Sequence, residues 1–177
     1  MKNIIFVGGI HGVGKSTLCK EACKTLKFEY LSASGLLKWA EVNNNKKNKE
    51  VENLDRNQDM LINGLINFVN SGDIYMLDGH FCLLNKKKSI CKIPISTFES
   101  INPLAIITIT EEISTILSRL KERDEISYDY NLLNEMQKLE IEYAKEIAKH
   151  LDIGYYEYKN HNFLVSINEF NQFITRK

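Results

Sequence analysis

Apolar positions along this chain follow two rhythms that take turns. Residues 4–7 (Ile-Ile-Phe-Val), 74–77 (Ile-Tyr-Met-Leu) and 104–109 (Leu-Ala-Ile-Ile-Thr-Ile) are short, nearly continuous apolar runs. Such runs suit central strands buried on both faces. Between them the apolar residues recur every three or four positions, as on one face of a helix. Leu18, Ala22 and Leu26 predict a helix over 16–27. Met60, Leu61, Leu65, Phe68 and Val69 predict another over 55–70, with Asp55 as N-cap and Ser71-Gly72 as its end.

Weaker signals complete the pattern. A short strand is expected at 28–31 and a helix at 34–42, followed by the polar stretch NNNKKNKE, read as a mobile excursion. Residues 81–94 read as a hairpin turning at Lys86–Lys88, and Ser96…Glu99 has capping-box spacing for a short helix. Thr110 is expected to cap a helix whose face is Ile113, Ile116, Leu117 and Leu120. After a polar interruption at 124–129 come a long helix at 130–151, a strand at 154–158 and a terminal helix at 166–176 opened by Ser166. Strands alternating with helices, without repeat or linker, predict one α/β domain over 1–177, a parallel sheet of about five strands flanked by helices. Ligands of such sheets bind at the carboxyl ends of the strands.

Composition changes this picture little. With 23 basic and 23 acidic residues the formal charge is zero, so no overall field draws the chain to nucleic acid or a lipid surface. No apolar run reaches the ~20 residues that span a bilayer, and the apolar stretch in MKNIIFVGGI is short for a signal peptide. A cytoplasmic protein is expected. Cys19, Cys23, Cys82 and Cys91 form no CxxC pair and read as reduced apolar fillers. Lysine is the default cation here, with only Arg56, Arg119, Arg123 and Arg176 as arginines, so each planar fork carries more information than a lysine run.

The chemistry concentrates at residues 8–17, GGIHGVGKST, directly after the first strand and directly before a helix. Gly9-Ile-His11-Gly12-Val13-Gly14-Lys15-Ser16 satisfies G-x-x-x-x-G-K-[ST] in full. Glycines let successive N–H groups wrap an anion, and the helix N-terminus adds partial positive charge. Lys15 would reach the β- and γ-phosphates of ATP, Ser16 would offer its hydroxyl oxygen to Mg²⁺, and Thr17 can add a phosphate contact. His11 is expected to point outward. Arg119 and Arg123, four apart, share a helix face that packing does not need and can converge on one anion.

With GGIHGVGKST at 8–17, YMLDGH at 75–80 and RLKER at 119–123, the chain resembles the P-loop kinase group, in the style of adenylate kinase and other small nucleotide kinases. That resemblance implies a three-layer P-loop fold with an acceptor-binding region at 32–60 and a short lid at 119–130. It implies that Asp78 is the strand-end aspartate serving Mg²⁺ or the acceptor, and that Arg119 and Arg123 are lid arginines. Arg56 falls where nucleotide kinases bind the acceptor's phosphate, and His80 is a further candidate for substrate contact. The chain departs from adenylate kinase after Asp78, where Gly79-His80 replaces a glycine-phenylalanine-proline-arginine run, so AMP is not implied as acceptor.

The expected activity is ATP- and Mg²⁺-dependent transfer to a small-molecule acceptor. Two alternatives stay open at this stage. A hydrolytic P-loop switch or ATPase is disfavoured because Gly79 stands where motor-type ATPases place a glutamate beside the aspartate. A catalytically silent nucleotide-binding module is the other.

Overall fold

The computed structural model describes residues 3–43, 54–85, 88–124 and 128–159, with the side chains of residues 43, 54–56 and 124 left aside. Five strands form one sheet: β1 (Ile4–Gly8), β2 (Glu29–Ser32), β3 (Tyr75–Asp78), β6 (Ala105–Thr110) and β7 (Gly154–Lys159). Their spatial order is β2-β3-β1-β6-β7 and every pairing is parallel. Two further strands, β4 (Cys82–Leu84) and β5 (Ile90–Lys92), make the antiparallel hairpin expected at 81–94. Among the described residues six helices surround them: α1 (Lys15–Leu26), α2 (Ala33–Asn43), α3 (Leu54–Phe68), α4 (Ile95–Ile101), α5 (Ile113–Asp124) and α6 (Tyr130–His150).

The unbroken apolar runs become the central strands because both of their faces are covered. In β1, Ile5 and Val7 enter one core, which holds Leu18 and Cys19 of α1 and Ile116 and Leu120 of α5. Ile4 and Phe6 enter the other, with Leu36 of α2, Leu65 of α3 and Phe98 of α4. α6 serves both cores: Leu133 and Met136 pack in the first, Ala144 and Ile147 in the second. Asp129 caps α6 by accepting from the Leu132 amide at 2.7 Å. Cys19, Cys23 and Cys82 are buried as free thiols and Cys91 is half-buried.

Two capping assignments from sequence are overturned. α4 starts earlier than the Ser96…Glu99 spacing suggests: Pro94 is its N-cap and no side chain caps it, so Ser96 lies inside the first turn. Thr110 belongs to β6 and donates from its hydroxyl to the carbonyl of Tyr158 at 3.4 Å, three residues before α5 begins. In both cases the neighbouring backbone extended one element past the polar residue that would have marked its edge. The N-cap reading of Asp55 also shifts, since α3 begins at Leu54. Of the excursion expected at 43–50, Asn43 closes α2 and residues 44–50 lie outside the described residues, as do the terminal helix at 166–176 and residues 125–127 of the expected lid.

Candidate active site

The register of the sheet assembles the site at the carboxyl ends of its strands. Asp78, the last residue of β3, lies opposite Val7 of β1 and Ser32 of β2. Phosphate-loop residues leave β1 just beside it and turn back into α1. Two glycines of the loop are required by its path. Gly9 has φ +141°, and a Cβ there would sit 2.5 Å from the carbonyl oxygen of Ile109. Gly12 has φ +80°, and its Cβ would meet Leu120 Cγ at 2.8 Å. Side chains other than hydrogen are excluded at both positions by strain and by space. Ile10 and Val13 are fully buried and anchor the loop from beneath. Val13 therefore serves through its backbone and its packing.

Gly14 caps α1 in a left-handed conformation (φ 97°), and no side chain hydrogen-bonds to that cap. The first amides of α1 thus form a helix N-terminus of the kind that attracts anions. Lys15 is 7% exposed and donates to the carbonyls of Gly9 at 2.7 Å and Ile10 at 3.0 Å. Burial lowers its pKa from the ordinary 10.5, an effect partly opposed by the carboxylates of Asp78 and then Glu140. The hydroxyl of Ser16 donates to Asp78 Oδ2 at 2.5 Å, and the Tyr30 hydroxyl donates to the same oxygen at 3.1 Å. Burial pushes the Tyr30 phenol up to about 12, so it stays a donor at neutral pH. A hydroxyl and a carboxylate oxygen meeting at a helix N-terminus form a hard oxygen donor set, which fits Mg²⁺ in chemistry.

A cavity of about 520 Å³ opens beside this loop. His11, Gly12, Gly14, Lys15, Ser16 and Thr17 line one end of it, together with Arg123. Asp78 and His80 lie between that end and a second one formed by α2, α3, α4 and the β4–β5 hairpin. Most of the sequence candidates are thus brought together. His11 is exposed, as expected, yet its ring rests 4.3 Å from that of His80 and both line the cavity.

The two arginines of α5 part company. Arg119 donates to Glu111 Oε2 at 3.2 Å and to the carbonyl of Gly12 at 3.4 Å, which pins α5 to the loop. Arg123 lines the cavity itself. The side chain of Arg56 is outside the described residues; its neighbours Asn57 and Gln58 line the cavity. Phe81 is fully buried core, Trp39 packs edge-on against Phe68, and Tyr30 serves Asp78.

Glu140, on α6, is the residue sequence reasoning missed. It is fully buried and accepts from the amides of Phe81 at 3.0 Å and Cys82 at 3.1 Å. Its Oε1 also lies 3.6 Å from Nδ1 of His80. A buried carboxylate of this kind fixes the turn that follows Asp78. Nothing in the local sequence marks it, because α6 carries acidic residues on most of its turns.

A family model described as an AAA domain matches residues 8–137. The chain belongs to this AAA-domain family. Its phosphate loop and parallel sheet give it the P-loop α/β fold. No curated protein matches the AAA-domain chain significantly. Among solved structures, a shikimate kinase from Acinetobacter baumannii in complex with shikimate has TM-score 0.62 at 13% identity, covering 99% of this chain and 94% of that one. A gluconokinase from Sinorhizobium meliloti 1021 has TM-score 0.52 at 11% identity, covering 99% and 98%. An uncharacterized protein from Eubacterium ventriosum has TM-score 0.58 at 14% identity, covering 99% and 100%. At these identities the likeness establishes the three-layer fold. Among the described residues, no helix is long and apolar enough to cross a membrane.

Proposed function

We propose that this protein is an ATP- and Mg²⁺-dependent phosphotransferase acting on a hydroxyl of a small-molecule acceptor. One observation carries the reading: the phosphate loop, the Ser16–Asp78 oxygen pair and Arg123 border one cavity whose other end is lined for a separate ligand. A site for hydrolysis alone does not call for that second compartment.

The loop amides from Gly9 to Ser16, with Thr17 beyond them, would hold the triphosphate. Lys15 has donors at hand that can exchange the Gly9 and Ile10 carbonyls for β- and γ-phosphate oxygens. Ser16 and Asp78 would hold Mg²⁺, whose chemistry is to neutralise charge on the β- and γ-phosphates. The acceptor hydroxyl, seated beside Asp78 and His80, attacks the γ-phosphorus; the bond from that phosphorus to the β,γ-bridging oxygen breaks, ADP leaves with its electron pair, and the hydroxyl proton passes to solvent. Arg123 stabilises charge on the transferring group, while Arg119 keeps α5 against the loop. The apolar walls of the second compartment limit water around the acceptor.

Isotope tracing with γ-labelled ATP tests this reading. Label should move to an added acceptor, and Lys15→Ala should abolish the transfer while the protein stays folded. Label recovered only as free phosphate across a broad acceptor panel would assign the site to hydrolysis.

A further inference from the structure

The second compartment of the cavity has a definite chemical character. Its walls are Phe6, Leu37, Leu61, Leu83, Phe98 and Ile101, all apolar. Its polar groups are neutral: the hydroxyls of Ser32, Ser34 and Thr97 and the amides of Asn57 and Gln58. Every charged group among the described lining residues (Lys15, Asp78, Arg123 and the titratable His11 and His80) sits at the phosphate end or at the boundary. Behind that boundary the fully buried Glu140 adds a second carboxylate to Asp78.

Two of the neutral groups lack an internal partner. Thr97 is 4% exposed, and its hydroxyl oxygen is buried without a hydrogen bond. Gln58 likewise has its amide nitrogen buried without one. Leaving such groups bare costs free energy, so a ligand that reaches them gains twice, by bonding and by relieving them. An anionic acceptor would enter an apolar compartment with the Asp78 carboxylate at its boundary and no described cation among the compartment's own lining residues to compensate it.

Resting on the phosphotransferase reading, we infer that the acceptor is an uncharged alcohol with an apolar ring body, carrying a carbonyl or ring-nitrogen acceptor for Gln58 and a polar group for Thr97. Nucleosides belong to this chemical class; nucleoside monophosphates and sugar acids do not. The apolar walls hold the ring, the two neutral groups fix its orientation, and the hydroxyl is delivered beside Asp78.

Pairs of related compounds, one uncharged and one bearing an anionic group, test the inference. Adenosine, guanosine, uridine and thymidine are each set against the 5′-monophosphate, and methyl shikimate against shikimate. Affinity is read from thermal stabilisation with a non-hydrolysable ATP analogue and Mg²⁺ present. At least one uncharged member should bind, at least tenfold more tightly than its charged partner. Thr97→Val and Gln58→Leu should each weaken it by about tenfold, while Thr97→Ser keeps it. The inference is overturned if no uncharged probe binds, if a charged member binds more tightly, or if Thr97→Val leaves affinity unchanged. Charged-member binding that vanishes in Arg56→Ala would place the acceptor's anion on that arginine instead. Binding of the ATP analogue, measured separately without acceptor, distinguishes the two levels: its loss sinks the kinase reading, whereas its persistence with an anionic preference overturns only the acceptor class.

Discussion

Replacing Glu140 by alanine isolates what the buried carboxylate does for the turn after Asp78. In the native protein its two oxygens take both the Phe81 and the Cys82 amide, within a region where neither residue is exposed. The alanine variant orphans both donors. At about 1–3 kcal/mol for each buried unsatisfied amide, and with relief of the carboxylate's own desolvation offsetting part of the loss, the net cost is about 1–5 kcal/mol. For a chain of this size each kcal/mol lowers the melting temperature by about 2–4 °C. Glu140→Gln keeps an oxygen acceptor and should lose about 1–2 kcal/mol. Urea denaturation followed by circular dichroism measures both, with an unchanged m-value showing that the unfolded state is unaffected. A loss below about 0.5 kcal/mol for the alanine variant would mean that water satisfies those amides, and the positioning role would be refuted.

The arginines of α5 should separate kinetically: Arg123→Gln lowers kcat by roughly ten- to a thousandfold, whereas Arg119→Gln, whose partners are Glu111 and the Gly12 carbonyl, lowers it less than tenfold. Steady-state kinetics of both variants checks the order, and equal effects would contradict it. Gly9→Ala forces a Cβ against the Ile109 carbonyl at 2.5 Å and should cost about 1–3 kcal/mol in urea melts together with loss of ATP affinity. Burial lowers the Lys15 pKa, so the folded state binds its proton less well than the unfolded chain. The destabilisation from this group is therefore complete below the lowered value and disappears as pH rises toward the ordinary 10.5. The stability difference between Lys15→Met and the native protein, from urea midpoints at pH 7 to 10, should shift in favour of the native protein as pH rises; a flat difference would contradict the assignment.

What the sequence made legible was local. β1, β3 and β6 could be read because burial on both faces leaves an unbroken apolar run. The phosphate loop could be read because glycines, lysine and serine must be contiguous to wrap one anion. The misread caps at Ser96 and Thr110 show where this stops, since a hydroxyl near an element's edge signals only when the backbone really ends there. Glu140 bonds amides 59 and 58 positions away, and nothing in a helix pattern distinguishes such a carboxylate from its solvated neighbours. The apolar compartment is equally hidden, because Phe6 of β1 and Phe98 of α4 look like ordinary core until the fold sets them against one cavity. The split between Arg119 and Arg123 likewise depends on Glu111, which lies eight residues before Arg119 and faces it only in three dimensions.

Calorimetric titration of the folded protein with ATP, with and without Mg²⁺, addresses the nucleotide site itself. The predicted result is saturable one-to-one binding that strengthens with Mg²⁺ and is lost in Lys15→Met and weakened in Ser16→Ala. Folded protein that gives no Mg²⁺-dependent heat, or a Lys15→Met variant that binds as the native chain does, would contradict the account.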